Sequence, residues 1–304
     1  MAQTITLAVI QMQMTKSKAE NMSHARDLVC KASREGANVV LLPELFATPY
    51  FCQERQYEYY NLAQSLTESD EVKEFSQLAS ELNIALPISF YERDGMNFYN
   101  SIAFADGKNG VLGVYRKVHI PDDHFYQEKF YFTPGNLGFK VWKSQFANFG
   151  VGICWDQWFP EAARIMALNG ADLLLYPTAI GSEPILDTDS SNMWRLAMQG
   201  HAATNMTPVA AANRFGTELV TPSEANGQQS SSLYFYGTSF ITDETGEIVE
   251  QAGRTEENIL LHSFNLEQIR EKRLSWGYFR DRRPECYGEI ASSLPHKIST
   301  ISSK

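Results

Sequence analysis

Three reactive side chains of this sequence stand where apolar runs stop: Glu44 after Leu41-Leu42-Pro43, Lys117 just beyond Gly110–Tyr115, and Cys154 after Val151-Gly152-Ile153. The run before Cys154 reads as a strand and Pro160–Asn169 as a helix, so the chain is expected to turn sharply at the thiol. Amide groups at a helix start would favour its thiolate. An isolated cysteine is more often a small buried apolar residue, and a charge after a buried run is often only the first solvated position. The flank Cys154-Trp155-Asp156 at a strand end weakens the first of those explanations. In open α/β sheets, sites gather outside the carboxyl ends of strands, so the three positions can converge. A thiol, a carboxylate and an amine together make a hydrolase site. The carboxylate takes the thiol proton and later activates water, and the ammonium stabilises an oxyanion.

Positioning such groups requires a particular order of elements. Ile5–Gln11 alternates as a strand, and Asn21–Glu35 carries Met22, Ala25, Leu28, Val29 and Ala32 at helical spacing before Gly36. Asn38–Leu42 is a continuous apolar run, the pattern of a strand buried on both faces. The same order returns as strand Phe149–Ile153, helix Pro160–Asn169 and strand Asp172–Tyr176, and Gly36-Ala37-Asn38-Val39-Val40-Leu41-Leu42-Pro43-Glu44 echoes Gly170-Ala171-Asp172-Leu173-Leu174-Leu175-Tyr176-Pro177-Thr178. Two similar α/β halves in one body follow.

Between them, Ile84–Tyr91, Tyr99–Ala105 and Gly110–Tyr115 read as strands joined by Asp106-Gly107 and Asn109-Gly110 turns. Val209–Ala212, Gly237–Ile241, Ile248–Gln251 and Ile259–Phe264 form a further set. Leu62–Leu82 and Asn265–Arg273 look helical, and residues 221–232 and the tail after Ile290 have loop or disorder composition. The expected class is α/β, with two sheets covered by helices.

With 304 residues, 43% of them hydrophobic, one large domain can build its own core. Thirty-six acidic against 26 basic residues give a net charge of −10 with no basic run, which argues against nucleic acid or an anionic membrane as partner. The first 13 residues lack a secretory pattern and no stretch suits a membrane span, so the cytosol is the expected compartment. Cys30, Cys52, Cys154 and Cys286 lie far apart without a CxxC pair, which suggests neither a zinc site nor a disulfide framework.

At Leu42-Pro43-Glu44, Tyr115-Arg116-Lys117-Val118-His119 and Gly152-Ile153-Cys154-Trp155-Asp156, taken in this order, the sequence resembles the nitrilase (carbon–nitrogen hydrolase) superfamily, from about Ile5 to Tyr287. The resemblance implies an α-β-β-α sandwich whose protomers pair into dimers or larger homo-oligomers; a single domain is expected over residues 1–290, and the composition of 291–304 suggests a disordered tail. The segment Trp276–Tyr287 is a candidate for an arm that reaches a neighbour. The resemblance further implies Glu44 as general base, Lys117 as oxyanion stabiliser and Cys154 as nucleophile. It adds Glu128, in Tyr126-Gln127-Glu128-Lys129, as a second glutamate, and it requires no metal or organic cofactor. The Trp155 amide, next after the nucleophile, is a candidate second oxyanion donor.

Cys154 is followed by Trp155-Asp156-Gln157-Trp158-Phe159-Pro160, with no arginine before Arg164, so the usual clamp for a substrate carboxylate is missing. The stretch from Tyr115 to Glu183 resembles the branch of the superfamily that hydrolyses N-carbamoylputrescine, which implies release of putrescine, carbon dioxide and ammonia. A small cationic carbamoyl substrate suits aromatic walls (Trp155, Trp158, Tyr50, Phe51) and an acidic far end at Glu183 or Asp187. Those aromatics can equally be core, and that loop can equally be a solvated acidic turn. Three alternatives stand beside this reading. The same fold could act as a β-ureidopropionase or ω-amidase; Cys154 could pair with one of the six scattered histidines in papain fashion; or the fold could serve as a non-catalytic binding protein. The presence of Glu44, Lys117 and Cys154 together counts against the last.

Overall fold

Apolar runs become the inner strands of two sheets in the computed structural model, which describes residues 4–182 and 188–292. The first half runs β1 (Thr4–Gln11), α1 (Lys18–Arg34), β2 (Val39–Leu41), α2 (Asp70–Leu82), β3 (Ala85–Asp94), β4 (Asn97–Asp106) and β5 (Gly110–Arg116). The second runs β6 (Val141–Lys143), β7 (Asn148–Val151), α3 (Pro160–Leu168), β8 (Leu173–Pro177), α4 (Ser191–Asn205) and β9 (Val209–Ala212). A hairpin of β10 (Phe215–Val220) and β11 (Ser231–Tyr236) follows. The chain closes with β12 (Phe240–Thr242), β13 (Ile248–Gln251), β14 (Asn258–Asn265) and α5 (Leu266–Trp276).

The sheets have orders β14-β1-β2-β3-β4-β5 and β6-β7-β8-β9-β12-β13. Read in those directions, both follow one pattern of pairing: antiparallel, parallel, parallel, antiparallel, antiparallel. The two-halves expectation is therefore met at the level of topology. Gly36 and Gly170, at φ +99° and +90°, turn the chain out of α1 and α3 at equivalent places.

Period-two alternation explains why the inner strands are apolar throughout. Leu7 and Val9 of β1 face the other sheet with Leu41, Phe104, Phe149, Val151, Leu173 and Leu175. Ala8 and Ile10 face outward, under Ala25, Leu28, Val72 and Phe75 of α1 and α2. On the far side, Leu174 and Tyr176 lie under Met166, Trp194 and Met198 of α3 and α4. Helix, sheet, sheet and helix thus form four layers, with inner strands such as β2, β8 and β9 buried on both faces and the edge strands β5, β6 and β13 partly exposed.

Several boundaries differ from expectation. Helix α2 begins only at Asp70, because Ser69 caps it by accepting the Val72 N–H, and Tyr57–Leu62 is a short 3-10 turn. Gly237 and Thr238 turn the chain at φ +57° and +53°, so β12 starts at Phe240 rather than Gly237. Ser231 and Ser232, expected in a loop, open β11. Helix α4 was not anticipated, nor was the hairpin. Trp276, Tyr278 and Tyr287 of the candidate arm are exposed. The tail beyond Ser292 lies outside the described residues. No described helix is long and apolar enough to cross a membrane.

Candidate active site

Buried runs end at β2, β5 and β7 on one rim of the sandwich, and that rim brings the reactive groups together. Lys117 Nζ lies 2.8 Å from Glu44 Oε1 and 2.6 Å from Glu128 Oε2, and none of the three side chains has any exposure. Asn100, on β4, donates to Glu44 Oε1 at 2.6 Å, while the Tyr50 hydroxyl donates to Glu128 Oε1 at 2.7 Å. Glu44 Oε2 is buried without a hydrogen-bond partner among the described residues. The lysine backbone is fixed as well: its N–H donates to Asn100 O at 2.9 Å, and its carbonyl accepts from Gly135 N at 2.7 Å. Position 135 must be glycine, since a Cβ there would sit 2.0 Å from Arg116 O.

Charges this deep survive only in company. Burial opposes the Lys117 ammonium, but Glu128 and then Glu44 outweigh it and hold its pKa well above the ordinary range. For Glu128 burial dominates, Lys117 pulls the other way, Glu44 adds to the rise, and the carboxyl is pushed up to about 7. The unfolded chain therefore gives up this proton at lower pH than the folded chain. Stability from this group is present at acid pH and lost as pH rises from 4.5 towards about 7. The Glu128→Gln variant is neutral throughout. Between pH 5 and pH 8 it is expected to gain about 2 kcal/mol relative to the parent, because about two units of the difference between 7 and 4.5 lie above pH 5. Urea denaturation at the two pH values checks this, and parallel behaviour of the two proteins would assign the proton elsewhere.

Cys154 opens a five-residue 3-10 turn, Cys154–Trp158, in a left-handed backbone conformation at φ +42°. Leu45, next to Glu44, is left-handed as well at φ +48°. Such backbones cost about 1–3 kcal/mol each for residues other than glycine and gather at functional sites. The thiol is 6% exposed, with Sγ 3.7 Å from Ala179 O. Burial and then the Glu44 charge push its pKa well above the usual thiol range, with Lys117 opposing. Burial and Glu44 therefore work against the thiolate that a helix start would favour, the five-residue turn offers little to set against them, and a base beside the thiol is needed for reaction.

The remaining candidates divide. Tyr50 is buried, its hydroxyl committed to Glu128 and its ring packed edge-on against Phe235. Phe51 belongs to an aromatic cluster with Tyr91 and Tyr131. Trp155 is partly exposed and meets Trp158 edge-to-face at 6.3 Å, both within the turn that carries the thiol. Glu183 and Asp187 lie outside the described residues.

Sequence reasoning missed the braces. Arg214, fully buried after β9, donates to Glu44 O at 2.7 Å, to Leu45 O at 3.2 Å and to Glu218 at 2.8 Å. Glu218 in turn accepts the Tyr50 N–H at 2.6 Å. The unanticipated hairpin therefore supports both ends of the acidic cluster. Nothing in an isolated Asn-Arg pair signals this, because the partners are backbone carbonyls 169 and 170 positions away. Asp156 reads in the sequence only as an acidic flank of the cysteine, yet its side chain is fully buried.

The model of one family, carbon-nitrogen hydrolase, matches residues 6–274. This chain belongs to the carbon–nitrogen hydrolase family. A citrullinase of Francisella tularensis is 50% identical over 94% of this hydrolase and 98% of its own length. An N-carbamoylputrescine amidase of Solanum tuberosum is 47% identical over 93% of each chain. Among solved structures, a carbon-nitrogen hydrolase from Helicobacter pylori superposes with a TM-score of 0.87 at 35% identity, covering 96% of this chain and all of that one. The sandwich described above is therefore the nitrilase fold, and the protein is an amide-type carbon–nitrogen hydrolase.

Proposed function

We propose that this hydrolase removes the terminal carbamoyl group of N-carbamoylputrescine. The observation that carries the chemistry is the buried Glu44–Lys117–Glu128 cluster acting on a protonated Cys154, with Glu44 Oε2 left free to receive a proton. Glu44 takes the thiol proton as Sγ adds to the carbamoyl carbon. The Lys117 ammonium and the Trp155 amide hold the oxyanion. Collapse expels ammonia, protonated by Glu44, and leaves an S-carbamoyl thioester. Water, deprotonated by Glu44, then displaces Sγ, and the released carbamic acid falls apart into carbon dioxide and putrescine. Every step uses groups of this chain and water.

The preference for a cationic rather than a carboxylate-bearing substrate rests on the turn after the nucleophile. Its first basic residue, Arg164, is occupied elsewhere, donating to Thr204 O at 2.8 Å and lying over the Phe279 ring. A second reading is favoured by the citrullinase relative. Citrulline presents the same ureido group and a far-end ammonium, and adds an α-carboxylate. Ammonia release from N-carbamoylputrescine, citrulline, N-carbamoyl-β-alanine and a simple ω-amide separates the readings. On the first, kcat/KM for N-carbamoylputrescine exceeds the others by about tenfold or more, the scale of one unanswered charged contact. A preference for citrulline transfers the assignment to the second reading, and a preference for N-carbamoyl-β-alanine or the ω-amide sinks both.

A further inference from the structure

Asp156 lies two residues beyond Cys154, has no exposure, and is not used in the chemistry above. No cation neutralises it from within the turn. Hydrogen-bond donors converge on it from two parts of the chain. Its Oδ2 accepts the Ile153 N–H at 2.9 Å, and its own N–H donates to Ile153 O at 3.0 Å. Residues 153 and 156 thereby clasp each other around Cys154, the residue held left-handed at φ +42°.

The other donors flank Lys117 on both sides. The Tyr115 hydroxyl donates to Oδ2 at 2.6 Å; the His119 N–H donates to Oδ1 at 3.0 Å; and His119 Nδ1 lies 2.8 Å from the same oxygen. Lys117 is midway between Tyr115 and His119. The His119 ring also stacks flat on Phe159, just past the turn, with centroids 3.6 Å apart at 4°. One buried carboxylate therefore ties the segment that carries the ammonium, from one sheet, to the turn that carries the thiol, from the other.

We propose that Asp156 is a positioning residue that sets the place of Lys117 relative to Cys154 and keeps the nucleophile in its left-handed conformation. It never touches the substrate. The proposal rests on the reading of Cys154 as nucleophile and Lys117 as oxyanion donor. An error of about 1 Å in such a constellation costs about 10²-fold in rate. Asparagine keeps the size of the side chain but turns one oxygen into a donor. Whichever way it is placed, it faces either the Ile153 N–H or the His119 N–H with another N–H, and neither backbone group can reverse its role.

The test compares the native enzyme with Asp156→Asn, Tyr115→Phe and their double variant. Two quantities are read: kcat and KM for N-carbamoylputrescine or citrulline, whichever is turned over, and the rate at which 2-fluoroacetamide alkylates Cys154, followed by peptide mass spectrometry. Rates are expressed per folded protein, with the folded fraction taken from near-ultraviolet circular dichroism. Asp156→Asn is expected to lower kcat about 10²-fold, with KM within about threefold and alkylation slowed in parallel. Tyr115→Phe, which removes one hydroxyl and keeps the ring, is expected to lose about five- to tenfold in kcat. The double variant should lose less than the product of the two, because both act through one carboxylate. If Asp156→Asn does not fold, Tyr115→Phe decides alone. Native kcat per folded protein in the variants, or losses confined to KM, overturn the proposal. Turnover by Cys154→Ala would instead overturn the underlying assignment of the nucleophile, so the two failures are distinguishable.

Discussion

Replacing Cys154 with alanine is expected to lower kcat/KM by at least about 10⁴-fold, the scale seen when a hydrolase loses its nucleophile, while leaving the fold intact. The side chain is buried and small, and its only hydrogen bond among the described residues is the long contact from Sγ to Ala179 O. Alanine therefore removes the reacting atom and little else. The left-handed backbone at this position is set by neighbours rather than by the thiol, so the turn should persist. Ammonia release measured beside far-ultraviolet circular dichroism checks both halves of the expectation. Retention of more than about 1% of activity by a folded variant would exclude covalent catalysis through Cys154.

The second large effect is expected for Glu44→Gln, with kcat falling about 10³- to 10⁴-fold, the upper part of the range for general acid–base groups. The direction follows from which oxygen is already engaged. Oε1 accepts from both Lys117 Nζ and Asn100 Nδ2, so the glutamine oxygen must take that place. Its NH2 then occupies the position of Oε2, the free acceptor that serves as base. A donor replaces an acceptor at the one point where a proton must land. Alkylation of Cys154 by 2-fluoroacetamide should slow with turnover, since proton removal limits both. Normal alkylation with lost turnover would confine Glu44 to the hydrolytic half of the reaction.

Legibility in the sequence followed the range of the interactions involved. Strand β1 could be read from its alternation, and β2, β7 and β8 because burial on both faces leaves an apolar run with glycine at its edge. The duplicated strand order was visible in the echo of Gly36–Glu44 by Gly170–Thr178. Helix α4 was missed although Trp194, Met198 and Ala202 recur every fourth position, because Ser, Asn, Gly and Thr around them dilute the pattern. The hairpin was missed because a ten-residue polar connection separates its strands. Glu44, Lys117 and Cys154 were legible as charges or a thiol at strand ends, whereas Glu128 was reached only through the family resemblance. The upward push on the Cys154 thiol could not be read, since it comes from burial and from a carboxylate 110 positions away. Arg214, Asn100 and Asp156 were illegible as braces for the same reason.

The duplicated strand order has a consequence for how the enzyme fails. Glu44, Lys117 and Glu128 come from the first half and Cys154 from the second, joined across the rim by the Glu44 N–H to Thr178 O contact at 3.3 Å and by the donors around Asp156. Neither half owns a complete set of reacting groups. Turnover therefore gauges how closely the two sheets are docked. A slight parting of the sandwich, by mild denaturant or by a mutation in its midplane, separates proton acceptor from sulfur while each half keeps its own hydrogen-bonded ladder. Inactivation should come first, and loss of secondary structure only later.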